Sequence, residues 1–334
     1  MLTKKLKTIA VTGGAGYIGS HCVISLINEG YKPIIVDNFS NSYSGVIKKI
    51  ELIKKKKITF YKVDLTDKKK LEKIFKKHNF FSVIHFAGYK AVDESIEKPI
   101  SYYNNNIVST LNLLECMKKN KVYNLIFSSS ATVYNESKSL TLKESGKIGN
   151  TKNPYGSSKF IIEKILMDLV KFDNKWSIRI ARYFNPISNH SSGIIKEDPK
   201  SIHINLLPLI IKVAKKQLPF LKVFGRNYRT KDGTCVRDYI HVMDLADGHI
   251  SILNKIKKKG FKVYNFGTGK GSSVLEVIKA FEKQTGKFIK YKFSKRRKGD
   301  FGSTICNPNK ALKELNWEAK YNLHQAMKDI KKII

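Results

Sequence analysis

The chain has 334 residues, 42% of them hydrophobic, which is enough for one large α/β domain with a smaller appendage and too apolar for a disordered chain. Its formal charge of +36, from 63 basic and 27 acidic residues, raises the question of a polyanion partner. No run of about 18 apolar residues occurs, so no membrane-spanning helix is expected; the four cysteines form no C-x-x-C pair and the eight histidines show no ligand spacing, so no metal site is expected.

The start, Met1 to Lys7, is short and basic, with no apolar stretch leading to a small-residue cleavage site. No secretory leader is expected, and a cytoplasmic protein with reduced thiols is the simple expectation. Thr8–Thr12 reads as a β-branched strand running into glycines, and residues 18–29 read as a helix with Ile18, Cys22, Leu26 and Ile27 on one face. Between them, Gly13, Gly16 and Gly19 make G-x-x-G-x-x-G, and Gly14, Gly16 and Gly19 make G-x-G-x-x-G. Glycines there allow a tight turn and let the backbone approach a pyrophosphate seated on the helix N-terminus. Alone the motif is weak; the strand–loop–helix setting strengthens it.

A second apolar run, residues 33–37, ends on Asp37, 18 positions after Gly19. A carboxylate there accepts hydrogen bonds from ribose hydroxyls and repels a 2′-phosphate, so NAD is favoured over NADP. The bland alternative is a strand-end Asp capping a turn. Residues 46–53 read as a helix, residues 58–63 as a strand, and Asp64 after it suits either the adenine edge or the N-cap of the next helix, Lys68–Lys77. Residues 82–86 form a fourth apolar run, 107–119 a helix and 125–128 a fifth run. This alternation predicts a doubly wound parallel sheet of Rossmann type.

The fifth run leads into Ser128, Ser129 and Ser130, at the sheet edge where α/β proteins bind ligands. Ser130 is the candidate to orient a reacting oxygen, while Ser128 and Ser129 are expected to hydrogen-bond backbone. Residues 154–170 read as a long helix opening on Pro154, with Tyr155 and Lys159 one turn apart on one face. An ammonium beside a phenol lowers its pKa, which suits Tyr155 to general-base work. By itself Y-x-x-x-K is common; joined to the glycine loop and the serine strand it gains weight. After the strand Ser177–Tyr183, residues 185–201 are rich in Asn, Ser, Gly and Pro and read as a loop, followed by short strands and helices. The expected division is a dinucleotide-binding domain over residues 1–185 and a smaller substrate lobe over 186–334, with some segments returning to the core.

The glycine loop, the serine and Y-x-x-x-K together resemble the extended short-chain dehydrogenase/reductases. Longer strings narrow this: TGGAGYIGS at 12–20, HFAGYKAV at 85–92, SSSATVY at 128–134, RYFNP at 182–186 and VRDYIHVMDL at 236–245 resemble the UDP-galactose 4-epimerase family, from about residue 8 to 320. The resemblance implies interconversion of UDP-glucose and UDP-galactose. Tyr155, helped by Lys159 and Ser130, takes the proton of the sugar 4-hydroxyl, and the C4 hydride passes to tightly held NAD and returns to the opposite face of a 4-keto sugar. It implies NAD contacts at Gly13, Gly16, Tyr17, Ile18, Gly19, Asp37, Asn38, Asn41, Ser42, Asp64, Leu65, Phe86, Lys90, Asn105 and Phe184, besides Tyr155 and Lys159. UDP-sugar contacts fall on Lys90, Ser130, Tyr155, Asn185, Asn205, Leu206, Phe224, Arg237, Arg297, Asp300 and Thr304. A homodimer packed through helices that include parts of 110–119 and 160–170 is also implied, although Leu111, Leu114 and Ile165 could equally face the sheet.

Arg237 and Arg297 suit a diphosphate, since guanidinium forks bind phosphate bidentately. Three places depart from the family pattern. Ile187-Ser-Asn-His190 stands where relatives usually have Val-Gly-Ala-His, and Asn135 stands where Gly is usual, which predicts a strained turn. Thr304 occupies a place where a bulky aromatic hinders N-acetylated sugars, so some activity on UDP-N-acetylhexosamines is expected.

Two other functions fit parts of the chain. A sugar 4,6-dehydratase on the same frame needs carboxylates in the serine strand, where Ser129-Ser130-Ala131 offers none, and a reductase needs NADPH, which Asp37 disfavours. A non-enzymatic RNA-binding protein is suggested by charge alone. However, the lysines are spread along the chain, only seven basic residues are Arg, and Lys, Ile, Asn, Phe and Tyr all have AT-rich codons. Drift in base composition accounts for that pattern, and no specific nucleic-acid or membrane partner is expected.

Overall fold

The computed structural model describes residues 6–137, 139, 141–200, 205–297 and 301–334. The central sheet is built from β1 (Thr8–Thr12), β2 (Lys32–Asp37), β3 (Thr59–Lys62), β4 (Ser82–His85), β5 (Asn124–Ser130) and β6 (Ser177–Tyr183). Shorter strands follow: β7 (Asn185–Ile187), β8 (Leu221–Phe224), β9 (Val236–His241), β10 (Gly260–Phe266), β11 (Gly271–Ser273), β12 (Tyr291–Ser294) and β13 (Ser303–Thr304). The helices are α1 (Tyr17–Asn28), α2 (Gly45–Lys54), α3 (Lys68–Lys77), α4 (Val92–Glu97), α5 (Pro99–Tyr103), α6 (Ser109–Lys119), α7 (Pro154–Phe172), α8 (Leu206–Ala214), α9 (Val242–Lys255), α10 (Val274–Thr285), α11 (Asn309–Leu315) and α12 (Leu323–Ile330). Among the described residues no helix is long and apolar enough to cross a membrane.

Seven strands, in the order β10-β6-β5-β4-β1-β2-β3, pair in parallel. Strand side chains alternate between faces, and the buried residues follow. Ile9 and Val11 pack with α1, α2 and α9, whereas Ala10 packs with α3, α6 and α7 on the other face. Chain order reverses between β1 and β4, and ligands of open α/β sheets bind outside the strand ends at such a switch point. A third apolar cluster, around Leu207, Ile210, Val277, Phe281 and Met327, lies in the C-terminal part of the chain. The C-terminal half also returns to the first core: β10 extends the sheet, α9 packs on α1, and Trp317 donates to the Asp244 carbonyl at 3.1 Å.

Residues 185–201 are not all loop. β7 pairs in parallel with β9, Asn185 opposite Tyr239, so neighbouring backbone supplies partners that composition does not reveal. Ser188, where the family pattern leads one to expect glycine, adopts a left-handed φ of 76°, and its hydroxyl donates to the Ala326 carbonyl at 2.8 Å. The strain expected at Asn135 is absent: it has no positive φ, and its amide donates to the Lys147 carbonyl at 2.9 Å. The helix expected over 107–119 begins earlier, as a π-helical turn over Asn104–Val108. Leu111 is 41% exposed whereas Leu114 is buried and Ile165 half-buried, so of these three Leu111 points to solvent.

Candidate active site

The loop between β1 and α1 explains its glycines sterically. Gly13 has a φ of +68°, and a Cβ there would lie 2.6 Å from the Ala87 nitrogen. One on Gly19 would lie 2.2 Å from the Gly13 carbonyl oxygen. The strand, the turn and the helix are therefore in contact through backbone. No side chain caps α1, whose first turn borders a cleft of about 910 Å³.

At the end of β2 the Asp37 carboxylate accepts from the Ala15 amide at 3.0 Å and the Phe39 amide at 2.8 Å. Asp37 therefore fixes the turn, the bland alternative, and it also lines the cleft. Burial pushes its pKa up, and these amide donors pull it back. Asp64 accepts from Asn38 at 2.8 Å and from the Thr66 amide at 2.9 Å. The N-cap of α3 is Asp67, whose carboxylate accepts from the Lys70 amide at 3.1 Å, so the capping role considered for Asp64 is excluded.

The catalytic candidates meet where β5 faces α7. Asn153 caps α7, its side chain accepting from the Gly156 amide at 2.8 Å, and Pro154 opens the helix. Lys159 is buried and donates to the Ser128 carbonyl at 2.7 Å. Burial lowers its pKa to about 8, against an opposing pull from Glu163. The pKa of Tyr155 moves opposite to the sequence expectation: burial raises it and the Ser130 hydroxyl draws it back. The Ser130 hydroxyl accepts from the Thr132 hydroxyl at 2.9 Å. Ser129 does not bond backbone through its side chain as expected; its hydroxyl donates to Glu163 at 2.5 Å, and Glu163 pairs with Arg182 at 2.6 Å with both side chains buried.

One cleft is lined by every site candidate named above from the sequence except Asp300, which lies outside the described residues. The glycine loop, Asp37, Asn38, Asn41, Ser42, Asp64, Leu65, Phe86 and Asn105 are its lining residues from the first part of the chain. Asn185, Asn205, Leu206, Phe224, Arg237, Arg297 and Thr304 line it from the later part, with Ser130, Tyr155, Lys159 and Phe184 also on its wall. The Arg297 guanidinium lies 4.2 Å from the Phe224 ring centroid. Arg237 donates to the Phe301 carbonyl at 2.9 Å, and the next residue, Asp238, is buried and accepts from the Thr268, Gly269 and Cys306 amides.

Several cleft and near-cleft residues carry little or no local sequence signal. Asn106 accepts from the Tyr89 amide at 2.7 Å and donates to the Ser158 hydroxyl at 3.0 Å, pinning the turn before Lys90 to α7. Its place in a π-helical turn, a frequent feature of functional sites, is invisible to helical periodicity. Glu163, one turn beyond Lys159, could have been found as an acidic residue on the same face. Glu197 pairs with Lys90 at 2.7 Å, a contact across 107 positions that no local pattern signals.

The fold and site define a nucleotide-sugar enzyme of the short-chain dehydrogenase/reductase type, and the family model described as GDP-mannose 4,6 dehydratase matches residues 10–330. UDP-glucose 4-epimerase of Dictyostelium discoideum is 51% identical over 323 residues, covering 96% of this chain and 94% of the relative. That of Bos taurus is 47% identical over 329 residues, with the same coverage of 96% and 94%. The crystal structure of the Bifidobacterium longum UDP-glucose 4-epimerase in complex with NAD+ and UDP superposes with a TM-score of 0.95 at 48% identity, covering 98% of both chains. The chain belongs to the UDP-glucose 4-epimerase family.

Proposed function

We propose that the protein is an NAD-dependent isomerase that interconverts UDP-glucose and UDP-galactose through a 4-keto sugar. The observation that carries this is that one cleft is lined by the glycine loop, Asp37, Arg237, Arg297, Ser130, Tyr155 and Lys159 together. The site fits NAD: a Cβ on Gly13 would collide with backbone, the uncapped start of α1 borders the cleft, and Asp37 offers a ribose acceptor. When bound, NAD supplies the hydride acceptor and donor for the sugar C4. The Tyr155 phenol exchanges a proton with the 4-hydroxyl, and the Ser130 hydroxyl orients that oxygen. Lys159, fixed by the Ser128 carbonyl, stabilises the phenolate as it forms. Asn185, Asn205, Leu206 and Phe224 hold the uridine and sugar, and Arg237 and Arg297 the diphosphate. A dehydratase reading finds no support in the serine strand, where Ser129-Ser130-Ala131 carries no carboxylate.

The division of labour we assign is dinucleotide binding to residues 1–185 and sugar binding mainly to residues 186–334. We place the protein in the cytoplasm as a homodimer; Leu111 and Ile161, exposed and apolar on α6 and α7, favour that pairing. Purified protein incubated with UDP-galactose and no added nucleotide is expected to form UDP-glucose, because the cofactor co-purifies. No turnover even after NAD is supplied would sink the reading.

Thr304 lines the cleft and is the β-pairing partner of Arg237, and its side chain is smaller than an aromatic ring. UDP-GlcNAc is therefore expected to be a substrate, and Thr304→Tyr to suppress that activity while sparing UDP-galactose. Wild-type protein that turns over UDP-galactose well and UDP-GlcNAc not at all would refute it.

A further inference from the structure

Segment 188–200 crosses the strand ends and is tied to the dinucleotide side at three points. The Tyr17 hydroxyl donates to the Ser188 carbonyl at 2.7 Å, Lys200 donates to the Phe39 carbonyl at 2.9 Å, and Lys90 donates to Glu197 at 2.7 Å. The partners Tyr17, Phe39 and Lys90 follow β1, β2 and β4, and residues 196–200 of the segment line the cleft. Glu197 is the junction. Its side chain is only 8% exposed, and the oxygen that takes the Lys90 ammonium also accepts from the Asn205 side chain at 2.9 Å. One carboxylate oxygen therefore joins Lys90, expected at both the cofactor and the UDP-sugar, to Asn205, expected at the UDP-sugar alone.

We propose that Glu197 is a positioning residue that latches Lys90 over the cofactor and couples cofactor retention to occupancy of the UDP-sugar side; this rests on the reading of the cleft given above. The physical case is the sharing of one acceptor. A ligand that orders Asn205 orders Glu197, and an ordered carboxylate holds the ammonium in place. The coupling is reciprocal, so whatever strengthens UDP binding through NAD strengthens NAD binding through UDP.

The experiment follows exchange of bound NAD on the holoenzyme against excess isotopically labelled NAD, with and without saturating UDP. In wild-type protein UDP is expected to slow exchange. Glu197→Gln keeps the shape but loses the charge, and is expected to exchange about tenfold faster, the cost of one hydrogen bond to a charged partner. It is also expected to lose the effect of UDP. Glu197→Asp keeps the charge and is expected to recover part of both. A general loosening of the fold would speed exchange equally with and without UDP, so faster exchange with the UDP effect intact overturns the proposal. So does an unchanged exchange rate in Glu197→Gln, or a wild-type protein indifferent to UDP. Wild-type protein that retains no NAD overturns the reading of the cleft and the latch together; retention with an indifferent Glu197→Gln overturns the latch alone.

Discussion

Lys159 is held in a place that suits chemistry better than stability. An ammonium 4% exposed, with one carbonyl partner at 2.7 Å, has lost most of its hydration. Its pKa falls from 10.5 to about 8. Below about 8 both the folded and the unfolded chain carry the proton, and the folded state bears the full burial penalty, roughly 3 kcal/mol at most for a shift of this size. Between about 8 and 10.5 the folded chain gives the proton up while the unfolded chain keeps it, so stability rises with pH in that window. Lys159→Met removes this dependence. Urea unfolding of the variant and the wild type is expected to show a stability difference that shifts toward the wild type from pH 8 to pH 10, while the variant loses turnover. A difference that stays flat over that range would mean that Lys159 titrates as an exposed lysine does. The same burial explains why Tyr155 is not a ready phenolate in the free protein: the desolvation that depresses Lys159 raises the phenol.

Among the elements, those with a regular period could be read from the sequence and those made by pairing could not. β1, β2, β4 and α7 announce themselves through apolar runs, glycines and Asn-Pro capping, because their order depends on residues adjacent in the chain. The glycine loop was readable for the same reason: the clash that excludes a Cβ at Gly19 is with Gly13, six positions away. β7 was missed because its hydrogen bonds go to β9, some fifty residues later, and Asn-Pro-Ile looks like a turn. α4 and α5 were missed because each is shorter than two turns, too short to show periodicity. Candidate lining residues could be picked out where chemistry demands a spacing, as at Tyr155 and Lys159, or where a long string carried the family's pattern, as at Arg237. Glu197 and Asn106 could not be picked out, because their hydrogen bonds reach partners 107 and 17 positions away.

For the whole molecule, a formal charge of +36 must be carried by a body with a radius of gyration of roughly 20 Å. At about 0.01 M salt the screening length is about 30 Å, longer than that radius, so every lysine feels the rest; at about 0.15 M it is about 8 Å and only neighbours interact. Exposed pairs such as Lys68 with Glu115 and Lys164 with Asp168 act the other way, since salt weakens attraction as well. They are few against the surplus of lysine, and each contributes at most about 1 kcal/mol. The buried pair Glu163–Arg182 is shielded from salt by the protein around it. Repulsion therefore wins, and the unfolding midpoint is expected to rise as NaCl is raised from about 0.01 M to about 0.15 M. A falling midpoint would show that local pairs outweigh the net charge. Any RNA that accompanies the protein at low salt is expected to leave by about 0.2 M, since attachment through charge alone weakens steeply as counterions return. RNA that stayed bound there would mean that the lysines form a selected surface and not the residue of codon drift.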